Sequence, residues 1–163
     1  MIQEKYNRGI FDEGTEEAIE NLSHLRSNVL SPVGIKKGDR VLIIEPDCQA
    51  LVEWLQDEVQ AQATVGTADD LVDIKGTFNY IINLGSLVET PSVLKEKLSA
   101  DGKLVYALPQ KLRMADFAKK LLKEAGFNNI ETYRVSPDYM FTTEIYAEDY
   151  IGGGAGDYLL IAK

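Results

Sequence analysis

The 163-residue sequence holds one cysteine, Cys48, and one histidine, His24. A single cysteine excludes an intramolecular disulfide and a thiolate metal cluster. A single histidine excludes multi-histidine metal sites and leaves little basis for a Ser–His–Asp triad. No apolar run has the length needed to cross a bilayer. The first residues, MIQEKYNRGIFDEGTEEA, lack the apolar core of a signal peptide, and they carry acids that a transit peptide avoids. A cytoplasmic location is therefore expected. Positive charge is also scarce, with 17 bases against 26 acids and a formal net charge of −9. Such a surface repels nucleic acid and anionic lipid, so neither is expected as a partner. The densest basic cluster is Lys111, Arg113, Lys119, Lys120 and Lys123, interrupted by Asp116 and Glu124. It reads as a solvated helix face, with a nucleic-acid patch as the alternative.

Glycine is missing from one particular place. In GDRVLIIEPDCQALVEWL, residues 38–55, a Gly-Asp turn leads into the apolar run Val41 to Ile44 and then into a helical pattern from about Cys48. This is a strand–loop–helix unit of the kind that binds nucleotides. The loop, however, reads Glu45-Pro46-Asp47-Cys48-Gln49-Ala50.

Along the chain, residues 15–30 have helical spacing and stop at Ser31-Pro32. The first strand, 41–45, does not alternate in polarity, which predicts burial on both faces in a parallel sheet. A helix over about 48–60 and a short strand over 62–67 follow. The strand FNYIINL, 78–84, precedes a short helix opened by Pro91. Asp101-Gly102 reads as a turn before the strand KLVYALP. A helix over about 114–125 is stopped by Gly126. NIETYRV and DYLLIAK read as the last two strands, with a long loop at 136–156 between them. Strands alternating with helices predict an α/β architecture with a largely parallel sheet, and the missing final helix predicts an antiparallel last strand.

In this order the residues resemble class I S-adenosylmethionine-dependent methyltransferases, over about 15–163. VLIIEPDCQAL is similar to the family's V-L-E-I-G-A-G-C-G-A-L, keeping Val41, Leu42, Cys48, Ala50 and Leu51. GTADDL, FNYIINLGSLVET, LSADGKLVYAL and LLKEAGFNNIETY resemble later stretches of the family. NLSHLRSNVL and SPDYMFTTEIYAEDY resemble a bacterial subgroup that accompanies glycosyltransferases. The resemblance implies a three-layer Rossmann-like methyltransferase fold of α/β class, its sheet mostly parallel with an antiparallel last strand. One β-α unit is deleted, because a single short strand stands where the family has two. A single domain is expected over 1–163, with an N-terminal helical segment to 35 and the Rossmann-like core from 36.

The resemblance also locates the departures. Glu45, Asp47 and Gln49 stand where the family has glycines that let backbone amides approach the cofactor. Pro46 removes one amide donor. No acid ends the strand at 62–67, where the family has the carboxylate that clasps the ribose. Asp69 and Asp70 match the later acid that meets the adenine amino group. Asn83, Gly85 and Ser86 follow the fourth family strand. The former cofactor pocket is thus represented by Glu45, Asp47, Asp69, Asp70, Asn83 and Gly85, and Glu45, Pro46 and Gln49 are expected to fill the methionine volume.

Each candidate has a plainer use. Glu45, Asp47 and Asp70 could hold a divalent ion, but Asp47 as a helix cap is favoured. Cys48 could be a reactive thiol at a helix start, and burial is favoured. His24 could be a base, and a polar helix residue is favoured. Asn83, Gly85 and Ser86 more simply shape a turn. IGGGAG, 151–156, lacks the lysine of a phosphate loop and reads as a flexible connection. Tyr133, Tyr139, Phe141, Tyr146 and Tyr150 could close a cavity or build an interface, and core or loop-anchoring use is slightly favoured. The expectation is a methyltransferase-like domain with a degenerate cofactor site, serving as a non-catalytic binding, regulatory or assembly module with no catalytic residues, metal or cofactor. Its expected partner is a small molecule or another protein, methyltransferase- or glycosyltransferase-related. The alternative is an active S-adenosylmethionine-dependent methyltransferase on a small or sugar-linked substrate.

Overall fold

The computed structural model describes residues 27, 30, 32–44, 48–83, 91–108, 112–135, 145–147 and 158–163. Seven strands form one sheet: β1 (Arg40–Ile44), β2 (Gln62–Gly66), β3 (Phe78–Asn83), β4 (Leu98–Leu108), β5 (Ile130–Val135), β6 (Ile145–Ala147) and β7 (Tyr158–Ala162). Their order is β2-β1-β3-β4-β7-β5-β6. β1 is parallel to β2 on one side and to β3 on the other, and β3 is parallel to β4. β7 runs antiparallel to both β4 and β5. The expected neighbours of the first strand and the antiparallel ending are both present.

Alternation along each strand builds two cores. Leu42, Ile44, Ile81, Leu104, Tyr106, Leu160 and Ala162 belong to one cluster. Val41, Ile43, Ile82, Val105, Leu159 and Ile161 belong to the other. Because neighbouring side chains point to opposite faces, a strand apolar at every position needs cover on both sides. The first face is covered by Leu94 from α2 (Pro91–Glu96), by Ala118 and Leu122 from α3 (Leu112–Glu124), and by Phe127. The second is covered by Cys48, Leu51 and Leu55, with Leu30 and Val33. The two helical layers with the sheet between them make the three-layer sandwich.

The end of α3 follows from Gly126. Its φ of +88° suits glycine, its N–H donates to the Lys123 carbonyl, and the Phe127 N–H donates to the Leu122 carbonyl. These two bonds are the Schellman pair, and Phe127 and Leu122 meet in the core as that motif prefers. Lys95 adds a side-chain hydrogen bond to the Gly126 carbonyl.

Four expectations need correction. The helix expected over 48–60 is α-helical only over Gln49–Glu53 (α1) and continues as a π-helical segment, Trp54–Val59. It closes on Gln60 with φ of +60°, and the Ala61 N–H reaches back to the Leu55 carbonyl. The N-cap position falls on Cys48, with no side-chain capping bond, while Asp47 lies outside the described residues. Asp101-Gly102 is not a free turn but part of an irregular stretch of β4. There the register against β3 jumps from Phe78↔Leu98 to Tyr80↔Lys103. A Cβ on Gly102 would sit 3.0 Å from the Phe78 carbonyl oxygen, so the close approach of β3 favours glycine there. Finally, β6 lies within the stretch expected to be loop, and it pairs antiparallel with β5 through Arg134↔Tyr146. Most of the expected helix at 15–30, including His24, lies outside the described residues, as do Tyr139, Phe141, Tyr150 and the IGGGAG segment.

Two tyrosines on the second face give a test of local geometry. Burial first, and the Asp39 carboxylate second, push the Tyr80 phenol above its ordinary value of 10.0. The Tyr133 phenol is raised chiefly by its 2.8 Å hydrogen bond to Glu131, then by burial and the same carboxylate's charge. A raised folded value means that the neutral phenols favour the folded state. That contribution is complete below pH 10 and is lost as pH rises through the folded values. Alkaline absorbance titration should show Tyr133→Phe removing one late-ionising phenol. A titration unchanged by that substitution would contradict the hydrogen bond.

Candidate functional site

Open α/β sheets bind ligands outside the carboxyl ends of their parallel strands. Here those ends are Ile44 on β1, Gly66 on β2 and Asn83 on β3. Register places Gly66 beside Ile44, and Asn83 beside Tyr106 of β4. Asn83 and Tyr106 are both fully buried, so they underlie the end of the sheet rather than present groups to solvent. Gln49 is exposed at the start of α1, and its Nε2 donates to Glu53 Oε1 at 3.3 Å. Its side chain therefore runs along the helix, as the i, i+4 spacing allows. Glu45, Pro46, Asp47, Gly85 and Ser86 lie outside the described residues.

The segment after β2 is the best-defined part of this end. Thr67 Oγ1 donates to Asp70 Oδ2 at 2.7 Å, and the Thr67 N–H reaches the same oxygen at 3.3 Å. The Asp70 N–H in turn donates to the Thr67 carbonyl at 3.2 Å. Asp70 thus closes the turn that leads into the 3-10 helix Asp69–Val72. One oxygen of the carboxylate matched to an adenine contact, Oδ2, is thus engaged by Thr67, in an exposed position. Asp69 is exposed in the first turn of the same helix.

From there the chain returns over the end of β2. A Cβ built on Gly66 would lie 2.4 Å from Ile74 Cδ1, and Ile74 packs against the core with Leu71. The residues after Gly66 are Thr67 and Ala68, followed by Asp69 and Asp70, so the strand itself ends without a carboxylate. Sequence reasoning overlooked both Ile74 and the Thr67–Asp70 pair. The T-x-x-D spacing signals the latter, whereas nothing local signals which apolar residue folds back over Gly66.

This geometry predicts the outcome of restoring the acid. Gly66→Asp should lower stability by about 1–3 kcal/mol, because its Cβ overpacks against Ile74. Ile74→Ala added to it should cost less than the sum of the two single changes, since they share one contact. Urea unfolding of the three variants checks this, and strict additivity would count against the contact.

Other candidates are placed plainly. Cys48 is 2% exposed and packs with Leu51 and Leu55, in keeping with the buried reading. Among the described residues no three His, Cys, Asp or Glu side chains are grouped to hold a metal ion. No helix among them is long and apolar enough to cross a membrane. Lys120 and Lys123 are exposed on α3, and Lys120 lies 3.9 Å from Glu124, an open surface pair. Lys111 lies outside the described residues. Tyr133 packs at the margin of the second core.

No protein-family model matches the sequence, and no curated protein matches it. Solved structures do match in shape. A methyltransferase from Pyrococcus furiosus is 14% identical, with a TM-score of 0.59 over 86% of this chain and 82% of that one. A precorrin-6y C5,15-methyltransferase from Geobacter metallireducens is 13% identical, with a TM-score of 0.50 over 85% of this chain and 86% of that one. A phosphoethanolamine N-methyltransferase 2 from Haemonchus contortus, in complex with phosphomonomethylethanolamine and S-adenosylhomocysteine, is 10% identical. Its TM-score is 0.57 over 87% of this chain and 38% of that one. At such identities the likeness speaks for the fold alone. That fold is the Rossmann-like methyltransferase fold, mostly parallel with antiparallel carboxyl-terminal strands.

Proposed function

We propose that this chain is a methyltransferase-like domain whose cofactor site is degenerate, and that it works as a non-catalytic binding, regulatory or assembly module. The observation that carries the reading is the end of β2, where Ile74 closes over Gly66 and no carboxylate follows. The inward turn of Asp70 onto Thr67 supports it. A ribose held there would find no carboxylate on β2 itself, and Asp70 beside it already accepts from Thr67 through Oδ2, so no methyl-transfer step is derived. The motif resemblance at residues 21–30 and 136–150 supports a partner from the surroundings of glycosyltransferases, either a small molecule or a protein.

The second reading is an active S-adenosylmethionine-dependent methyltransferase acting on a small or sugar-linked substrate. It is favoured by the intact order of β2, β1, β3 and β4, which leaves the carboxyl ends of the strands side by side. Calorimetric titration of S-adenosylmethionine and S-adenosylhomocysteine into the full chain separates the two readings. Saturable micromolar binding selects the enzyme.

A further inference from the structure

We infer that the outer edge of β2 is a self-association surface, on which β2 of a second copy of this chain pairs antiparallel across a two-fold axis. β2 stands at the end of the sheet order and pairs parallel with β1 from Gln62 to Gly66. Among the described residues no strand lies on its other side. Gln62, Thr64 and Val65 are exposed, and Val65 is 44% so. An edge strand turns a row of N–H and C=O groups outward, which is a template for another strand.

Natural edges are guarded by lysine, proline, a bulge or an inward charge. Residues 60–68, QAQATVGTA, contain no charged residue and no proline. In a chain of net charge −9, this is a stretch that brings no charge of its own to a contact between two copies. The lack of charge also argues against a charged heterologous partner, which would find no handle here. The segment is self-complementary about Thr64. Antiparallel pairing puts Thr64 opposite Thr64 of the second copy, and Ala63 opposite its Val65. Cross-strand threonine pairs and apolar pairs are both favourable, and a two-fold contact is the commonest way in which identical chains close. Exposed Asp57 and Glu58 precede the segment, and Asp69 and Asp70 follow it. Their mutual repulsion between copies falls with added salt, so the dimer tightens as ionic strength rises. One strand pair is a small interface, so association is expected in the weak, concentration-dependent class. The inference gives a form to the assembly role but does not depend on the cofactor reading. Failure of the dimer leaves the cofactor titration untouched, and the reverse also holds.

Sedimentation velocity of the full chain, over a concentration series reaching on the order of 100 μM and at low and high salt, tests the inference. The expected result is a dimer that grows with concentration and with salt. Thr64→Lys should return it to monomer, because two like charges would face each other directly. Val72→Lys, at a position 82% exposed and outside the strand, should leave the dimer unchanged. Circular dichroism checks the fold of each variant. If Thr64→Lys does not fold, hydrogen exchange of the unmodified chain replaces it, with the amides of 62–66 slowing as concentration rises. A monomer at every concentration and salt would overturn the inference, even if some foreign protein bound the edge. So would a dimer that survives Thr64→Lys, or one that Val72→Lys disrupts equally.

Discussion

Titration of S-adenosylmethionine into the protein is expected to show no saturable binding below about millimolar, a level equivalent to only about −4 kcal/mol. Two losses add up. On the proposed reading no ribose carboxylate follows Gly66, and charge-assisted hydrogen bonds of that kind are worth roughly 1.5–3 kcal/mol each. The loop after β1 carries Glu45 and Asp47 where the loop it resembles carries glycine, and Pro46 between them has no amide to donate in any conformation. Each loss of about 1.4 kcal/mol is tenfold, so together they remove several orders of magnitude. Glycine at Glu45, Asp47 and Gln49 together should not rescue binding. Gln49 already lies along α1, and the end of β2 would still be closed by Ile74. A micromolar dissociation constant for the unmodified chain would overturn the non-catalytic reading.

Phe78→Ala is expected to be the most damaging single truncation proposed for stability. Phe78 opens β3 and is 1% exposed within the first core. Its N–H donates to the Lys97 carbonyl at 2.8 Å, and the Arg40 guanidinium lies over its ring, 5.1 Å from the centroid. Removing a buried phenyl group costs about 3–5 kcal/mol, since its neighbours collapse only partly into the void. In a chain of this length each kcal/mol moves the midpoint by roughly 2–4 °C, so Tm should fall by on the order of 10 °C. Phe117→Ala is the control. That ring is 51% exposed on α3, and its loss should stay within about 0.5 kcal/mol. Thermal and urea unfolding measure both, and equal effects at the two positions would contradict the placement of Phe78 in the core.

What the sequence by itself determined is what depends on near neighbours in the chain. Unbroken apolar runs at 41–44 and 81–82 require cover on both faces, which fixes buried parallel strands. The stop at Gly126 follows from its freedom to adopt positive φ, and the antiparallel β7 follows from the missing helix before it. That β2 ends in Gly66-Thr67-Ala68, without an acid, is read from the sequence directly. Tertiary structure alone decided the rest, because those features arise between residues distant along the chain. Gln60 ends the first helix although it lacks glycine's freedom, since packing of Leu55 and Ala61 holds it there. Asp101-Gly102 has the composition of a turn, yet the approach of Phe78 from the neighbouring strand makes it part of β4. No local pattern says that Ile74, eight positions on, comes back to close over Gly66. That contact is a matter of packing between elements, and the character of the candidate site turns on it.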